Sequence, residues 1–146
     1  MANQQLFRDT WAEIDLGAIR ENIAKFQQYL QKPTKIMAVV KANAYGHGAV
    51  EVARVAIEAG VDHLAVALLD EAIALRQAGI RIPILVLGWV RPQDVNKAAH
   101  YDITLTVFQA SWLLEALAYS TSSLRLHLKI DTGMGRIGVR DMREAE

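Results

Sequence analysis

Cysteine is absent from the 146 residues, which excludes disulfides, thiol catalysis and cysteine-based zinc sites. No charge of one sign dominates: sixteen Lys and Arg stand against sixteen Asp and Glu, a formal net charge of zero. A chain so balanced does not hold nucleic acid through bulk charge. Long apolar runs are missing too. The longest, Ile82–Val90, is broken by Pro83 and Gly88 and falls well short of the ~20 residues of a membrane helix. The first ten residues carry no apolar signal-peptide core, so no membrane partner is expected and the expected location is the cytoplasm. What is present is the material for a core. Hydrophobic residues make up 52% and charged residues 22%, a globular rather than a disordered composition. The length suits one domain.

Short β-branched runs alternate with helix-like stretches. The runs are Lys35–Val40, His63–Ala67, Ile84–Leu87, Ile103–Val107 and Leu124–Ile130. Each interval fits a strand, a loop and a helix, the rhythm of βα units around a parallel sheet. Helix ends are legible. Leu16, Ile19, Ile23, Phe26 and Leu30 form one apolar stripe, with Asp15 placed as its N-cap. Gly60 and Gly79 suit left-handed C-terminal caps, and Pro92 suits a first helical turn. Leu113, Leu114 and Leu117 mark the helix before the last strand. Thr10–Asp15 reads as an extra strand, so residues 1–15 form an N-terminal strand segment and 16–146 the α/β body.

Two folds remain open at this point: an open, doubly wound sheet of flavodoxin type, or part of a (β/α)8 barrel. A whole barrel takes about 250 residues, so only about the first five βα units would be here. Residues 140–146 look like a helix opening with no stop signal, and the chain is expected to be a fragment of something longer.

The chemistry concentrates in two segments. In Met37–Gly48 a buried apolar strand ends at Lys41, followed by a small-residue turn, Tyr45 and Gly46-His47-Gly48. Ligands bind at the C-terminal edge of strands in α/β folds. Desolvation there favours a neutral, nucleophilic amine. The glycines are expected to bring backbone N–H groups to an anion at the next helix N-terminus, with the Tyr45 hydroxyl as a further donor. An amine beside a phosphate seat is what pyridoxal 5'-phosphate requires. The plain alternative is a surface lysine before an ordinary glycine turn, and His47 is given no role. In Leu124–Gly138, Leu124, Leu126, Leu128 and Ile130 alternate with Arg125, His127 and Lys129. A sheet covered on both sides should be apolar on both faces, so a cationic inner row favours the barrel and puts Lys129 near a site. Gly133, Gly135 and Gly138 then present Arg136, suited to bidentate grip on a carboxylate or phenolate-like oxygen. The plain alternative is a solvated edge strand.

Together these segments carry a resemblance. Val39–Gly48 resembles the cofactor attachment site of the alanine racemase family, Leu128–Gly138 its second landmark and Thr10–Leu16 its opening strand. The resemblance runs in register over essentially the whole chain. It implies a homodimer whose subunits pair an N-terminal (β/α)8 barrel with a C-terminal β domain, the Thr10–Asp15 strand belonging with that second domain. It implies pyridoxal 5'-phosphate as cofactor and alanine as substrate, interconverted between L and D forms for cell-wall peptidoglycan precursors. Lys41 would form the Schiff base and act as base on one face of Cα. Tyr45 would hold the phosphate, and Val39 and Leu87 would line the cofactor pocket. Arg136 would reach the phenolic oxygen and the substrate carboxylate region. Lys129 matches a lysine that many members carry as a carbamate, which positions the arginine. The opposite base is a tyrosine of the partner subunit's C-terminal domain, and an arginine at the pyridine nitrogen lies later in the barrel. Neither is in this chain, so these residues alone are expected to be inactive. No metal ligands are assigned. The competing readings are a racemase or decarboxylase for another amino acid on the same barrel, or a pyridoxal-phosphate carrier serving cofactor homeostasis.

Overall fold

In the computed structural model, residues 9–31 and 33–141 are described. Helix α1 (Leu16–Tyr29) precedes strand β1 (Met37–Val39), and the chain then alternates. Helix α2 (Ala49–Glu58) leads to β2 (His63–Val66), α3 (Leu69–Gln77) to β3 (Ile84–Val86), and α4 (Val95–His100) to β4 (Thr104–Val107). Helix α5 (Ala110–Tyr119) leads to β5 (Leu126–Leu128). Every strand lies inside its expected run. Asp15 caps α1, its Oδ1 accepting the Ala18 N–H at 3.0 Å. Gly60 and Gly79 sit at φ +90 and +89 just past α2 and α3, where a left-handed residue lets the last carbonyls find donors. Pro92 opens a 3-10 turn, Pro92–Asp94, ahead of α4.

Sheet order decides between the two folds. All neighbouring strands are parallel and the order is β1-β2-β3-β4-β5. A flavodoxin-type sheet would place β1 internally, between β2 and β3. Consecutive order with crossovers of one hand puts every helix on the same face, and that is the wall of a barrel. The chain is therefore α/β, with five strands of a (β/α)8-type barrel.

The strand faces divide as such a wall requires. Leu64, Val66, Ile84, Val86, Leu105 and Val107 pack with Leu75, Trp112 and the small Ala53, Ala56, Ala98 and Ala116 of the helices. The inner face carries the alternate residues. Val39, Ala65, Leu85 and Thr104 are in register across four strands. On β5, Leu124 and Leu126 join the core while Arg125 and His127 take the inner face. The Thr106 hydroxyl, buried on that face, donates to the Val86 carbonyl at 2.7 Å. Gly88 follows β3 so close to β2 that a Cβ would run into the Ala67 carbonyl oxygen.

The opposite, N-terminal edge is tied by Arg76 near the end of α3, only 6% exposed. Its guanidinium donates to the carbonyls of Tyr101 (2.9 Å), Asp102 (2.9 Å), Ile80 (3.0 Å) and Ile82 (2.7 Å). Burial is the main influence on this group and pulls it below the ordinary arginine value, opposed by the Asp102 carboxylate. Four fixed carbonyl dipoles satisfy a charge that would otherwise be costly to bury.

Thr10–Asp15 is paired with no strand among the described residues, and Trp11 is largely exposed; the neighbour that the resemblance gives this segment belongs to a second domain. Leu113, Leu114 and Leu117 do lie in α5, the helix before the last strand; its buried residues are Trp112 and Ala116, while Leu114 and Leu117 stand exposed. Trp112 wins the core position because its indole N–H also reaches the Val90 carbonyl, at 2.7 Å. The helix expected from residue 140 onward lies outside the described residues beyond 141.

Candidate functional site

Lys41 is the first residue past the end of β1 and is half-buried. The backbone that follows it is unusual. Ala42, Asn43, Ala44 and Tyr45 all lie in the left-handed region, at φ 51, 55, 52 and 55. None is glycine, and L-residues resist that conformation by roughly 1–2 kcal/mol each. Such strain persists only where surroundings over-determine it, and it clusters at functional sites.

The surroundings here are specific. The Asn43 side-chain oxygen accepts the Ala49 N–H at 2.8 Å, joining the turn to the start of α2. The Glu71 carboxylate, in the first turn of α3, accepts the Ala42 N–H at 2.6 Å through Oε1. Its Oε2 accepts the N–H groups of Ala67 and Leu68 at 2.8 and 3.0 Å. Ala44 is the buried residue of the turn. Tyr45 is exposed, with the Lys41 Nζ 5.9 Å from its ring centroid. Lys41 forms no ion pair among the described residues.

The Gly46–Gly48 segment does not form the expected anion seat. The Gly46 amide donates to the Ala42 and Asn43 carbonyls, His47 to Ala44 and Gly48 to Asn43. With the Ala49 N–H taken by Asn43, four amides that could have faced a phosphate are spent inside the turn. The glycines serve the backbone instead: Gly46 and Gly48 have φ +90 and +92.

At the other end of the sheet, Lys129 continues the inner face of β5. Its N–H donates to the Val107 carbonyl at 2.8 Å, and its side chain is half-buried. The loop beyond is organised by Asp131. The Asp131 Oδ1 accepts from Gly133 N–H (3.1 Å) and Gly135 N–H (3.0 Å), and Oδ2 pairs with Arg140 Nε at 3.2 Å. The Gly135 and Gly133 amides, then Arg140, hold this carboxyl below its usual range. A bridge between Ile130 and Val139 closes the loop. Gly138 has no room for a side chain, since a Cβ would stand 2.6 Å from the Asp131 nitrogen. Arg136, at the loop's far side, is exposed.

The structure thus sets Val39, Lys41 and Tyr45 at β1, Leu87 at the end of β3, and Lys129 and Arg136 at and beyond β5. All lie toward the C-terminal edge of one parallel sheet, on three alternate strands. No hydrogen bond or ion pair joins Lys41, Tyr45, Lys129 and Arg136 to one another among the described residues. Sequence reasoning overlooked Glu71, Asn43 and Asp131. Asp131 carried a signal, an aspartate ahead of glycines two and four residues on, the pattern of a side chain capping its own turn. Asn43 sits before a glycine turn and a helix, the place of a capping amide. Glu71 announced itself only as an acidic first-turn residue, and its reach to Ala42 is tertiary.

Residues 14–146 match the family described as alanine racemase, N-terminal domain. The chain is 56% identical over 144 residues to the alanine racemase of Geobacillus kaustophilus, covering 97% of this chain and 38% of that protein. Against alanine racemase 1 of Bacillus subtilis it is 52% identical, covering 100% of this chain and 38% of the relative. It superposes on the crystal structure of alanine racemase from Bacillus anthracis with bound L-Ala-P at a TM-score of 0.92 and 50% identity, over 96% of this chain and 37% of that one. A histidine racemase from Leuconostoc mesenteroides superposes at 0.80 with 35% identity, over 90% of this chain and 36% of that one. The chain spans somewhat over a third of the length of these relatives, and by sequence and by fold it belongs to the alanine racemase N-terminal domain family.

Proposed function

We propose that the protein carrying this chain is a pyridoxal-phosphate-dependent alanine racemase, acting in the cytoplasm as a homodimer. The observation that carries this reading is Lys41: a primary amine with no carboxylate partner among the described residues, at the C-terminal edge of a barrel wall, on a turn held in a strained backbone. The donor set suits the cofactor. The amine and the Tyr45 phenol share one turn, apolar Val39 and Leu87 flank the inner face, and Lys129 and Arg136 stand at its far end. The cofactor's phosphate then relies on Tyr45 and on groups outside the Gly46–Gly48 turn.

When bound, pyridoxal phosphate supplies an electron sink that acidifies the Cα–H bond of an attached amino acid. Lys41 would hold that group through Nζ, and its free amine would take or return the Cα proton on one face. Tyr45 donates its hydroxyl to the phosphate. Val39 and Leu87 exclude water from the ring, and Arg136 holds the phenolic oxygen and the substrate carboxylate. Lys129, as a carbamate, orients Arg136. Racemisation needs a second base on the opposite face, and this reading takes it from the partner subunit's C-terminal domain. The 146 residues alone are then expected to racemise alanine negligibly.

Borohydride reduction of the intact protein with its cofactor, followed by peptide mass mapping, tests the reading. A pyridoxyl adduct confined to Lys41 is expected. Lys41→Ala should remove that adduct and lower turnover by on the order of 10³-fold or more. Adducts spread over many lysines, or undiminished turnover in Lys41→Ala, would overturn it. The similarity to a histidine racemase favours one alternative, another amino acid as substrate. A panel of L-amino acids should show alanine turned over fastest.

A further inference from the structure

Glu71 does more than cap a helix. Its Oε2 takes the N–H groups of Ala67 and Leu68, which is ordinary service at the start of α3. Its Oε1 reaches into the neighbouring βα unit and takes the Ala42 N–H at 2.6 Å. Ala42 directly follows Lys41 and is the first of the four left-handed residues. The turn's other side-chain ties stay within the same unit: Asn43 to Ala49 at the start of α2, and the His47 Nδ1 to the Ala44 carbonyl. Among the described residues, Glu71 is the one side chain that hydrogen-bonds the turn to the β2–α3 unit.

We propose that Glu71 is a positioning residue: by gripping the Ala42 N–H it holds the left-handed turn in place and so fixes where the Lys41 amine and the Tyr45 phenol stand at the strand edge. The physical logic is one of balance. Four non-glycine residues in the left-handed region favour relaxation, and a relaxed turn would swing both side chains. A carboxylate accepting an N–H makes a strong, charge-assisted bond, and the rigid start of α3 carries that carboxylate. The inference rests on the proposed role of Lys41 for its bearing on the cofactor, but the grip itself can be read without any cofactor.

The first test is Glu71→Gln in the intact protein. Glutamine keeps the size but offers one acceptor oxygen and one NH2 donor. Whichever end faces Ala42, a donor is turned toward one of the amide sets. Amide hydrogen exchange at Ala42 in the cofactor-free protein should quicken about tenfold or more, the size of one lost hydrogen bond to a charged group. Borohydride-trapped adduct at Lys41, at limiting pyridoxal phosphate, should fall by a similar factor. Glycine adopts the left-handed conformation without penalty. Adding Ala42→Gly to Glu71→Gln should therefore restore much of the trapped yield, whereas mere loss of a helix cap would not be repaired by it. Glu71→Ala removes both acceptors, so unchanged Ala42 exchange in Glu71→Gln and Glu71→Ala alike overturns the proposal, as does a trapping defect that Ala42→Gly leaves in place. If Glu71→Gln does not fold, Glu71→Asp serves, since it keeps the charge but is one methylene too short to serve both loops. A wild-type protein that traps nothing at Lys41 defeats the functional reading instead, and Ala42 exchange then decides the grip by itself.

Discussion

The two edges of this sheet are built on opposite terms. At the N-terminal edge, Arg76 is buried and each of its contacts is a backbone carbonyl of a neighbouring loop. That edge is held by a satisfied buried charge, and one non-glycine residue there, Asp102, is left-handed at φ 53. At the C-terminal edge, Lys41 opens a turn of four left-handed non-glycine residues, and Arg136 rides a loop of left-handed glycines wound around Asp131. In barrels the first edge carries stability and the second carries chemistry. The lesson is that left-handed non-glycine residues gather at the edge where side chains must be held out toward a ligand, four in one turn against a single Asp102 at the other edge.

The strongest way to break this contrast is Arg76→Met. Losing four charge-assisted bonds at a buried site should destabilise the protein by about 3–4 kcal/mol, read by chemical denaturation. The folded fraction should still be trapped by cofactor at Lys41, because the change acts at the other edge. A selective loss of trapping without loss of stability would erase the distinction.

Gly138→Ala comes next. A Cβ has no room beside the Asp131 nitrogen, and φ is +134. The expected cost is about 2–3 kcal/mol, with loss of the Ile130–Val139 bridge visible in amide exchange. A smaller pair of changes sharpens the comparison within the functional edge. Gly135→Ala, at φ +72 with open space around it, should destabilise by about 1 kcal/mol. Ala42→Gly, the reverse change in the other loop, should stabilise by less than about 1 kcal/mol, relief of left-handed strain outweighing the added freedom of the unfolded chain. Equal signs for the two would show that the Lys41 turn is not strained.

The smallest effect is a response to acid. The amides of Gly135 and Gly133, and Arg140, hold Asp131 below the ordinary carboxylate range. The folded loop therefore binds this proton less readily than the unfolded chain does. Its contribution is complete above the unfolded value of about 4 and is lost as pH falls through the lower folded value. An NMR titration should show the Gly133 and Gly135 amides moving at a lower midpoint than an ordinary aspartate would give, and Asp131→Asn should abolish that response.

Much of the architecture was legible in the residues, because strands such as Ile84–Val86 and Thr104–Val107 are short apolar runs whose burial needs no knowledge of partners. Asp15, Gly60 and Gly79 were legible for a similar reason: a cap acts on its own helix. What could not be read was which distant group an amide would choose. The Gly46–Gly48 amides looked open to an anion, yet carbonyls of the preceding turn claimed them. Thr10–Asp15 has strand-like residues but no strand neighbour among the described residues. Lys41 could be singled out as an amine at a strand end, while the carboxylate gripping the next residue lies 29 positions away in the chain.

The row that runs Val39, Ala65, Leu85, Thr104 across the inner wall alternates large with small. Ala65, Leu85 and Thr104 are closed to solvent, while Val39 is 41% exposed. The row is thus packed wall over most of its length and open only where it reaches the strand that delivers the amine, so bulk added at Ala65 would press on its neighbours rather than on an occupant.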